Sequence, residues 1–512
     1  MPLIRIILIT LSLSSIPISH AAPVPQTVLD ALKRANIPLS SVGIVVREAN
    51  TYTPLLSYQA HQPMNPASTI KLLTTYAGLE LLGADYTWKT EAYVDGTLEQ
   101  DVLHGNLILK GYGNPKLTIE QLWLWMYELR SRGLREIRGD LVLDRSAFAL
   151  SPHDPAAFDN DPTRPYNIGP DALLLNFGAI RLRFMPDGDS IKIYTLPKLA
   201  GYTLDNRLTL IPPEDLMENV PAKKIDCSAL EKIITAELQG NVLLLQGDYP
   251  LACGERDLHL SPLTHPDYFY ATFLALWKEM GGSIAGGVTE NVVPSTATLF
   301  STHRSPPLAE IIRDINKYSN NVMAHQVFLS LGNNHAAEVI NTPKSNNPEA
   351  NNPEATNPSA TGDTANTPPL TAPPASMARS KLALRNWLAR KQLNFSELHL
   401  ENGAGLSRIA RISPNSLALL LNSAQRSPMS AEFISSLPIL GVDGTLRKRL
   451  ANTTSASHGH LKTGSLEGVQ AIAGYVQAYS GRQWIVVFLI NHPNASYGQP
   501  AQDALLEWVQ RR

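Results

Sequence analysis

The chain has 512 residues, 44% apolar and 17% charged, and its 43 basic against 45 acidic side chains leave a formal net charge of −2. That length supports roughly two to four cored domains. The balanced charge argues against nucleic acid or an anionic membrane as partner, and no Cys/His spacing suggests a metal site.

Residues 1–21 read as a cleaved secretory signal. Arg5 is the positive head, residues 6–18 are an apolar core broken by Pro17, and Ser19-His20-Ala21 is a small-x-small cleavage site. The apolar run is too short to span a bilayer of about 30 Å as a helix. No later stretch is long and apolar enough either, so an exported, periplasmic protein without a membrane anchor is expected; an uncleaved anchor is the alternative. In that compartment Cys227 and Cys253, the chain's two cysteines, can form one disulfide. Such a loop closure contributes about 3 kcal/mol in the chain-entropy account. Two unpaired buried thiols are the other possibility.

Beyond the signal, 28–35 reads as a short helix, with strands at 42–47 and 55–58 around a turn at 48–51. Residues 68–82 form a strong helix, with Ile70, Leu73, Leu79 and Leu82 at helical spacing and Gly83 ending it. From 87 to 294 the texture is β-rich, with strands at 107–109, 141–143 and 242–245. A hairpin joins 180–184 to 191–196, and one helix lies at 268–280. Residues 307–331 are helical again, broken at 317–321. The tract 341–375, built from Asn, Pro, Ala, Thr and Ser, cannot bury a core and is expected to be disordered. A helix at 380–391, three antiparallel strands at 459–466, 471–478 and 483–491, and a closing helix at 502–509 follow. The fold class is therefore α+β. Segments 22–87 and 295–512 form an antiparallel sheet with helices. They are interrupted by an inserted domain (88–162 and 263–294) that carries a nested β-rich domain (163–262).

Three short words stand out in this frame: Ser68-Thr69-Ile70-Lys71, Ser319-Asn320-Asn321 and Lys462-Thr463-Gly464. A serine hydroxyl needs an adjacent base to act as nucleophile. Ser68 and Lys71, at i and i+3, share a helix face near its amide-rich end. Lys71 can accept a proton if burial and a second cation, for which Lys462 is the candidate, lower its pKa. The plain alternative is that Ser68 caps the helix and Lys71 reaches solvent. The S-x-N pattern recurs at Ser345-Asn346-Asn347 and Ser413-Pro414-Asn415, in the low-complexity tract and in a turn. At the helix break, Ser319 can relay a proton to a leaving amine while Asn321 orients Lys71 and a substrate amide. A helix N-cap at Ser319 is compatible with that role. Lys462 offers a charge, and Thr463 and Ser465 offer hydroxyls, to a terminal carboxylate. Gly464 admits a substrate backbone to the strand edge, and the amides of Ser68 and Ser465 suit an oxyanion hole.

Carrying these words in this order, the chain resembles the class C low-molecular-mass penicillin-binding proteins, the D-alanyl-D-alanine carboxypeptidase/endopeptidase family. The likeness extends to G-Y-G-N-P at 111–115, G-D-L-V-L-D at 139–144, G-A-G-L-S-R at 403–408 and G-V-D-G-T-L-R-K-R at 441–449. It implies a β-lactamase/transpeptidase-like catalytic domain whose two nested domains fill the long interval from Ser68 to Ser319. It also implies an acyl-enzyme on Ser68, with Lys71 as proton acceptor and Ser319 as second active-site serine. Asp144 and Arg408 would grip the diamino acid of a peptidoglycan stem peptide. β-Lactams would acylate the same serine, and no cofactor is implied. The chain departs from the family at Glu467, where Gln is frequent, and in the tract at 341–375. A β-lactamase with the same acylation site and a non-catalytic wall-binding protein with a relic site remain as alternatives.

Overall fold

The computed structural model describes residues 22–212, 227, 230–333 and 373–512. The expected signal at 1–21 lies outside them, as does the tract at 341–375 up to residue 372. A five-stranded antiparallel sheet runs in the order Gly459–Leu466, Val469–Gln477, Gln483–Asn491, Val42–Glu48, Pro54–Tyr58. The two chain ends meet because Val42–Glu48 pairs with Gln483–Asn491 over its whole length, from Val42 opposite Ile490 to Glu48 opposite Trp484. Both faces of the sheet are covered. Ile485, Val487 and Leu489 enter the core that holds the helix Lys71–Leu82. Trp484, Val486, Phe488 and Ile490 enter a second core closed by the helices Gln26–Arg34 and Gln499–Gln510. A strand buried on both faces reads as one apolar run, because successive side chains alternate between two cores.

The helix Lys71–Leu82 is buried on nearly every side, with Leu72, Leu73, Tyr76, Ala77 and Leu79 all in the core. The helices Leu308–Tyr318, Asn321–Ser330, Met377–Arg390 and Pro414–Gln425 pack around it. A helix of this kind belongs in the middle of a core, and that placement buries Lys71 along with its apolar neighbours.

The interval between the words holds a seven-stranded mixed sheet. Its centre is the antiparallel pair Lys89–Glu99 and Val102–Gly111, with Leu141–Asp144 parallel to the latter. Three expectations change here. The sheet does not end at residue 294, since Thr298–Arg304 pairs with Lys89–Glu99 as an edge strand, and the catalytic part resumes with Leu308–Tyr318. The segment 163–262 does form separate sheets, two of three strands each, but among the described residues its buried apolar side chains share a core with the seven-stranded sheet. Phe184, Leu245 and Tyr249 join Leu107, Leu141, Trp125 and Phe273 in one apolar cluster. A second helix, Ile119–Ser131, accompanies His265–Glu279. Its buried stripe of Leu122, Trp125, Met126 and Leu129 has helical spacing, but exposed Trp123, Leu124 and Tyr127 on the opposite face hide that period in the sequence. Cys227 and Cys253 form the disulfide.

Candidate active site

The approach to Ser68 is fixed by asparagines. Asn65 Oδ1 accepts from the Ala67 amide at 2.9 Å, Asn65 Nδ2 donates to the Ser407 carbonyl at 2.8 Å, and Asn491 Oδ1 accepts from the Asn65 amide at 2.7 Å. Ala67 takes a left-handed φ of 45°, a conformation a non-glycine residue keeps only where its surroundings impose it. The short 3-10 turn Ala67–Ile70 then carries Ser68 and runs directly into the helix that begins at Lys71.

Lys71 is fully buried. Its Nζ donates to Ser68 Oγ at 2.9 Å, to Asn321 Oδ1 at 2.7 Å and to the Ala404 carbonyl. Asn321 opens the helix Asn321–Ser330, whose N-cap is Asn320, accepting from the Met323 amide at 3.0 Å. The cap therefore falls one residue past Ser319, which leaves the Ser319 hydroxyl for other work. Ser319 sits in the left-handed region (φ 59°, ψ 32°) between the helices, and its Oγ accepts from Lys462 Nζ at 2.8 Å. Lys462 also donates to the Thr463 carbonyl at 2.7 Å. Thus two buried lysines, one on a helix and one on a strand, each hold one serine.

Among the described residues, the partners of the two ammonium groups are hydroxyls, a side-chain amide and backbone carbonyls. Burial pushes the Lys71 pKa far below the usual lysine value, and the Lys462 charge lowers it further. Burial alone brings Lys462 down to about 7.

The strand that carries Lys462 is an edge strand. The Leu461 amide donates outward, to the Pro438 carbonyl. Amides two apart on a strand point the same way, so those of Thr463 and Ser465 face the open edge. A Cβ on Gly464 would lie 2.8 Å from both the Pro66 carbonyl oxygen and the Ser68 nitrogen. Glycine is therefore what lets the strand approach the nucleophile. The resulting cleft, about 400 Å³, is lined by Ser68, Ser319, Thr445, Thr463, Gly464 and Ser465 among others.

The structure thus brings together Ser68, Lys71, Ser319, Asn321, Lys462, Thr463, Gly464 and Ser465. Arg408 pairs with Glu467, just past Ser465 in the chain. Asp144 makes no contact with this group. It lies at the end of its strand with its carboxylate bound by Lys110 Nζ at 2.9 Å, the Ser146 hydroxyl at 2.6 Å, and the amides of Ser146 and Val293 at 2.9 Å. Two contributors escape the sequence reading. Ala404 acts through a backbone carbonyl, which no side chain announces. Its glycine neighbours are the available signal: Gly405 has φ 86°, and a Cβ there would strike the Ala67 carbonyl. Thr445 shares a 2.8 Å hydrogen bond with Thr463 and comes from a loop read only as part of the family likeness.

The pattern of the D-Ala-D-Ala carboxypeptidase 3 (S13) family matches residues 25–346 and 369–512. D-alanyl-D-alanine carboxypeptidase DacB of Haemophilus influenzae is 24% identical over 88% of this chain and 85% of its own length. A D-alanyl-D-alanine carboxypeptidase of Actinomadura sp. (strain R39) is 25% identical over 86% and 76%. The crystal structure of penicillin binding protein 4 (dacB) from H. influenzae shares the fold, with TM-score 0.71 at 22% identity over 94% of this chain and 99% of that one. The same protein complexed with a β-lactam gives 0.67 at 21% identity, over the same shares of both chains.

Proposed function

The chain belongs to the D-Ala-D-Ala carboxypeptidase 3 (S13) family, and from that premise we propose an exported D,D-peptidase of peptidoglycan stem peptides that acts through an acyl-enzyme on Ser68. As a member it is a serine-type D-Ala-D-Ala carboxypeptidase that β-lactams acylate. The observation that carries the assignment of roles is the 2.9 Å contact between Ser68 Oγ and the Nζ of a buried lysine with a depressed pKa.

In acylation neutral Lys71 takes the Ser68 proton as Oγ bonds to the carbonyl carbon of the penultimate D-Ala. The oxyanion rests on the amides of Ser68 and Ser465; one such donor contributes about 2.7–4 kcal/mol to the transition state. Ser319, oriented by Lys462, relays the proton that Lys71 took on to the departing amine as the peptide bond breaks, which leaves Ser319 a hydroxyl and returns Lys71 to its neutral form. Lys462 and Thr463 hold the terminal carboxylate. Water, deprotonated by the same base, then cleaves the ester and frees Ser68. A D-Ala cross-link presents the same bond with a larger amine, so the same site serves as carboxypeptidase and as endopeptidase. Among the described residues no helix is long and apolar enough to cross a membrane, in keeping with a periplasmic location.

Incubation with a stem pentapeptide and with a cross-linked dimer, read by mass, tests this. Loss of D-Ala from the pentapeptide, abolished in Ser68→Ala, is expected. Full muropeptide cleavage by Ser68→Ala would refute the nucleophile, and prompt hydrolysis of the penicilloyl adduct would favour a β-lactamase.

A further inference from the structure

The helix Ile119–Ser131 is apolar on two opposite faces, and only one of them is used by the fold. Leu122, Trp125, Met126 and Leu129 lie in the core of the seven-stranded sheet. On the outer face Trp123 is 45% exposed, and Leu124 and Tyr127 are each 61% exposed. The rings of Trp123 and Tyr127, at i and i+4, stack with centroids 6.0 Å apart and planes 20° from parallel. Single exposed aromatics are common. Two rings ordered against each other in water form a rigid surface ready for a partner. Neither the Trp123 indole N–H nor the Tyr127 hydroxyl has a hydrogen-bond partner among the described residues.

Size and charge narrow the occupant. The three side chains expose on the order of 300 Å², against about 800 Å² per partner in a stable protein–protein interface. Glu120 and Glu128 balance Arg130 and Arg132, so the helix has no net charge to hold an anionic membrane. Flat rings with free N–H and O–H groups suit a neutral ring with C–H bonds on its face and hydroxyls on its edge, which is a pyranose. Stem peptides, the substrate in the proposed function on which this choice of ligand rests, hang from a strand of N-acetylated hexosamine pyranoses. We propose that Trp123 and Tyr127 form a docking platform for the glycan strand of peptidoglycan, with their rings stacked on the C–H faces of its sugars. Lys116, three residues before the helix, pairs with Asp314 at 2.6 Å. Asp314 belongs to the helix that ends at Tyr318, next to Ser319. The platform is thus tied to the catalytic part, and a strand held there raises the local concentration of stem peptides at the cleft.

The test is retardation of the full chain in a native gel containing glycan strands freed of their peptides by an amidase. Anionic phospholipid vesicles and sedimentation are separate arms. Wild type and Ser68→Ala should be retarded equally, since no bond is cleaved. Trp123→Ala and Tyr127→Ala should each weaken binding by roughly threefold to tenfold. Trp123→Phe with Tyr127→Phe keeps both rings and should retain most of the binding. Leu124→Ala removes an equally exposed side chain but no ring, and should leave binding unchanged. On polymeric peptidoglycan, D-Ala release should fall in the two alanine variants by their loss of binding, while kcat/KM on a free pentapeptide stays at the wild-type value. A penicilloyl adduct on Ser68 marks each variant as folded. No retardation of wild type, or retardation that the alanine variants leave unmoved, overturns the inference. Equal losses in Leu124→Ala and Trp123→Ala, binding to vesicles alone, or a dimer that Trp123→Ala breaks overturn it too. Ring-dependent glycan binding by a wild type that releases no D-Ala from the pentapeptide supports this inference and overturns the peptidase reading alone.

Discussion

The floor of the cleft and the seam where the seven-stranded sheet meets the helix Asn321–Ser330 both bury charge, but in opposite ways. At the floor, Lys71 and Lys462 are fully buried, and the partners of their ammonium groups are hydroxyls, a side-chain amide and carbonyls. At the seam, buried Asp144 meets Lys110, while Arg145 bridges Asp171 and Glu290. Gln326 then ties the Asp171 backbone to the helix that begins with Asn321, donating to its carbonyl at 2.6 Å and accepting from its amide at 3.1 Å. Paired charges keep their ionisation and hold two layers together. Among the described residues neither floor lysine has a counter-ion, and burial beside the Lys462 charge lowers the Lys71 pKa, which favours its neutral, basic form. The same cost of desolvation serves rigidity in one place and reactivity in the other.

The most direct way to break the contrast is to give the floor a carboxylate. Asn321→Asp would place one at the atom now 2.7 Å from Lys71 Nζ, holding the lysine protonated. Penicillin acylation of Ser68, followed by mass, should slow by about 10²–10⁴-fold, the usual contribution of a general base. An unchanged rate would show that Lys71 is not the base.

Emptying the seam comes next in size. Asp144→Ala leaves Lys110 and two amides without their acceptor and should lower stability by about 3–5 kcal/mol in urea unfolding. Burial raises the Asp144 pKa, but hydrogen bonds from Ser146, the Val293 amide and Lys110 outweigh it, and the net shift is downward. Asp144 therefore stabilises the fold above the ordinary aspartate range near 3.9, and this contribution is lost as pH falls through the folded pKa. Asp144→Ala should flatten that acid limb. The floor should respond with the opposite sign. Lys71 has a lowered folded pKa, so the unfolded chain binds more protons and stability rises with pH toward about 10.4. Lys71→Met removes that rise and should add about 1–3 kcal/mol at neutral pH while abolishing acylation. A destabilised Lys71→Met variant would mean that the lysine is not under desolvation stress.

How much of this was legible depended on whether the information sat in a side chain. Ser68 and Lys71 were readable because i, i+3 spacing on an apolar helix places them on one face. Lys462, Thr463 and Gly464 are readable because the Lys-Thr-Gly word occurs once in the chain and falls on a predicted strand. The Ala404 carbonyl was invisible, since every residue has one. The strand Thr298–Arg304 was assigned to the wrong side of a boundary because its partner, Lys89–Glu99, lies some 200 positions earlier, and pairing at that distance leaves no local trace. The helix Ile119–Ser131 was missed because its outer face is as apolar as its inner one. Asp144 is implied as a substrate contact by likeness alone; what the structure adds is the set of donors that orient its carboxylate, Lys110, Ser146 and the Val293 amide.

The smallest effect, and the one that separates the two lysines, lies in the alkaline limb of activity. The assigned roles need Lys71 neutral and Lys462 charged, and burial lowers the pKa of both, with the Lys462 charge acting further on Lys71. Above about 7, Lys462 discharges and stops attracting a terminal carboxylate, while Ser68 and Lys71 remain competent. For a peptide ending in free D-Ala-D-Ala, kcat/KM should therefore decline on the alkaline side by roughly tenfold, the difference between a charged and a neutral hydrogen bond. A peptide ending in D-Ala-D-Ala amide has no carboxylate to lose. Its profile should rise with Lys71 deprotonation and stay level through the same range. Parallel declines for both peptides would place the titrating group in the proton relay through Ser319 rather than in carboxylate binding.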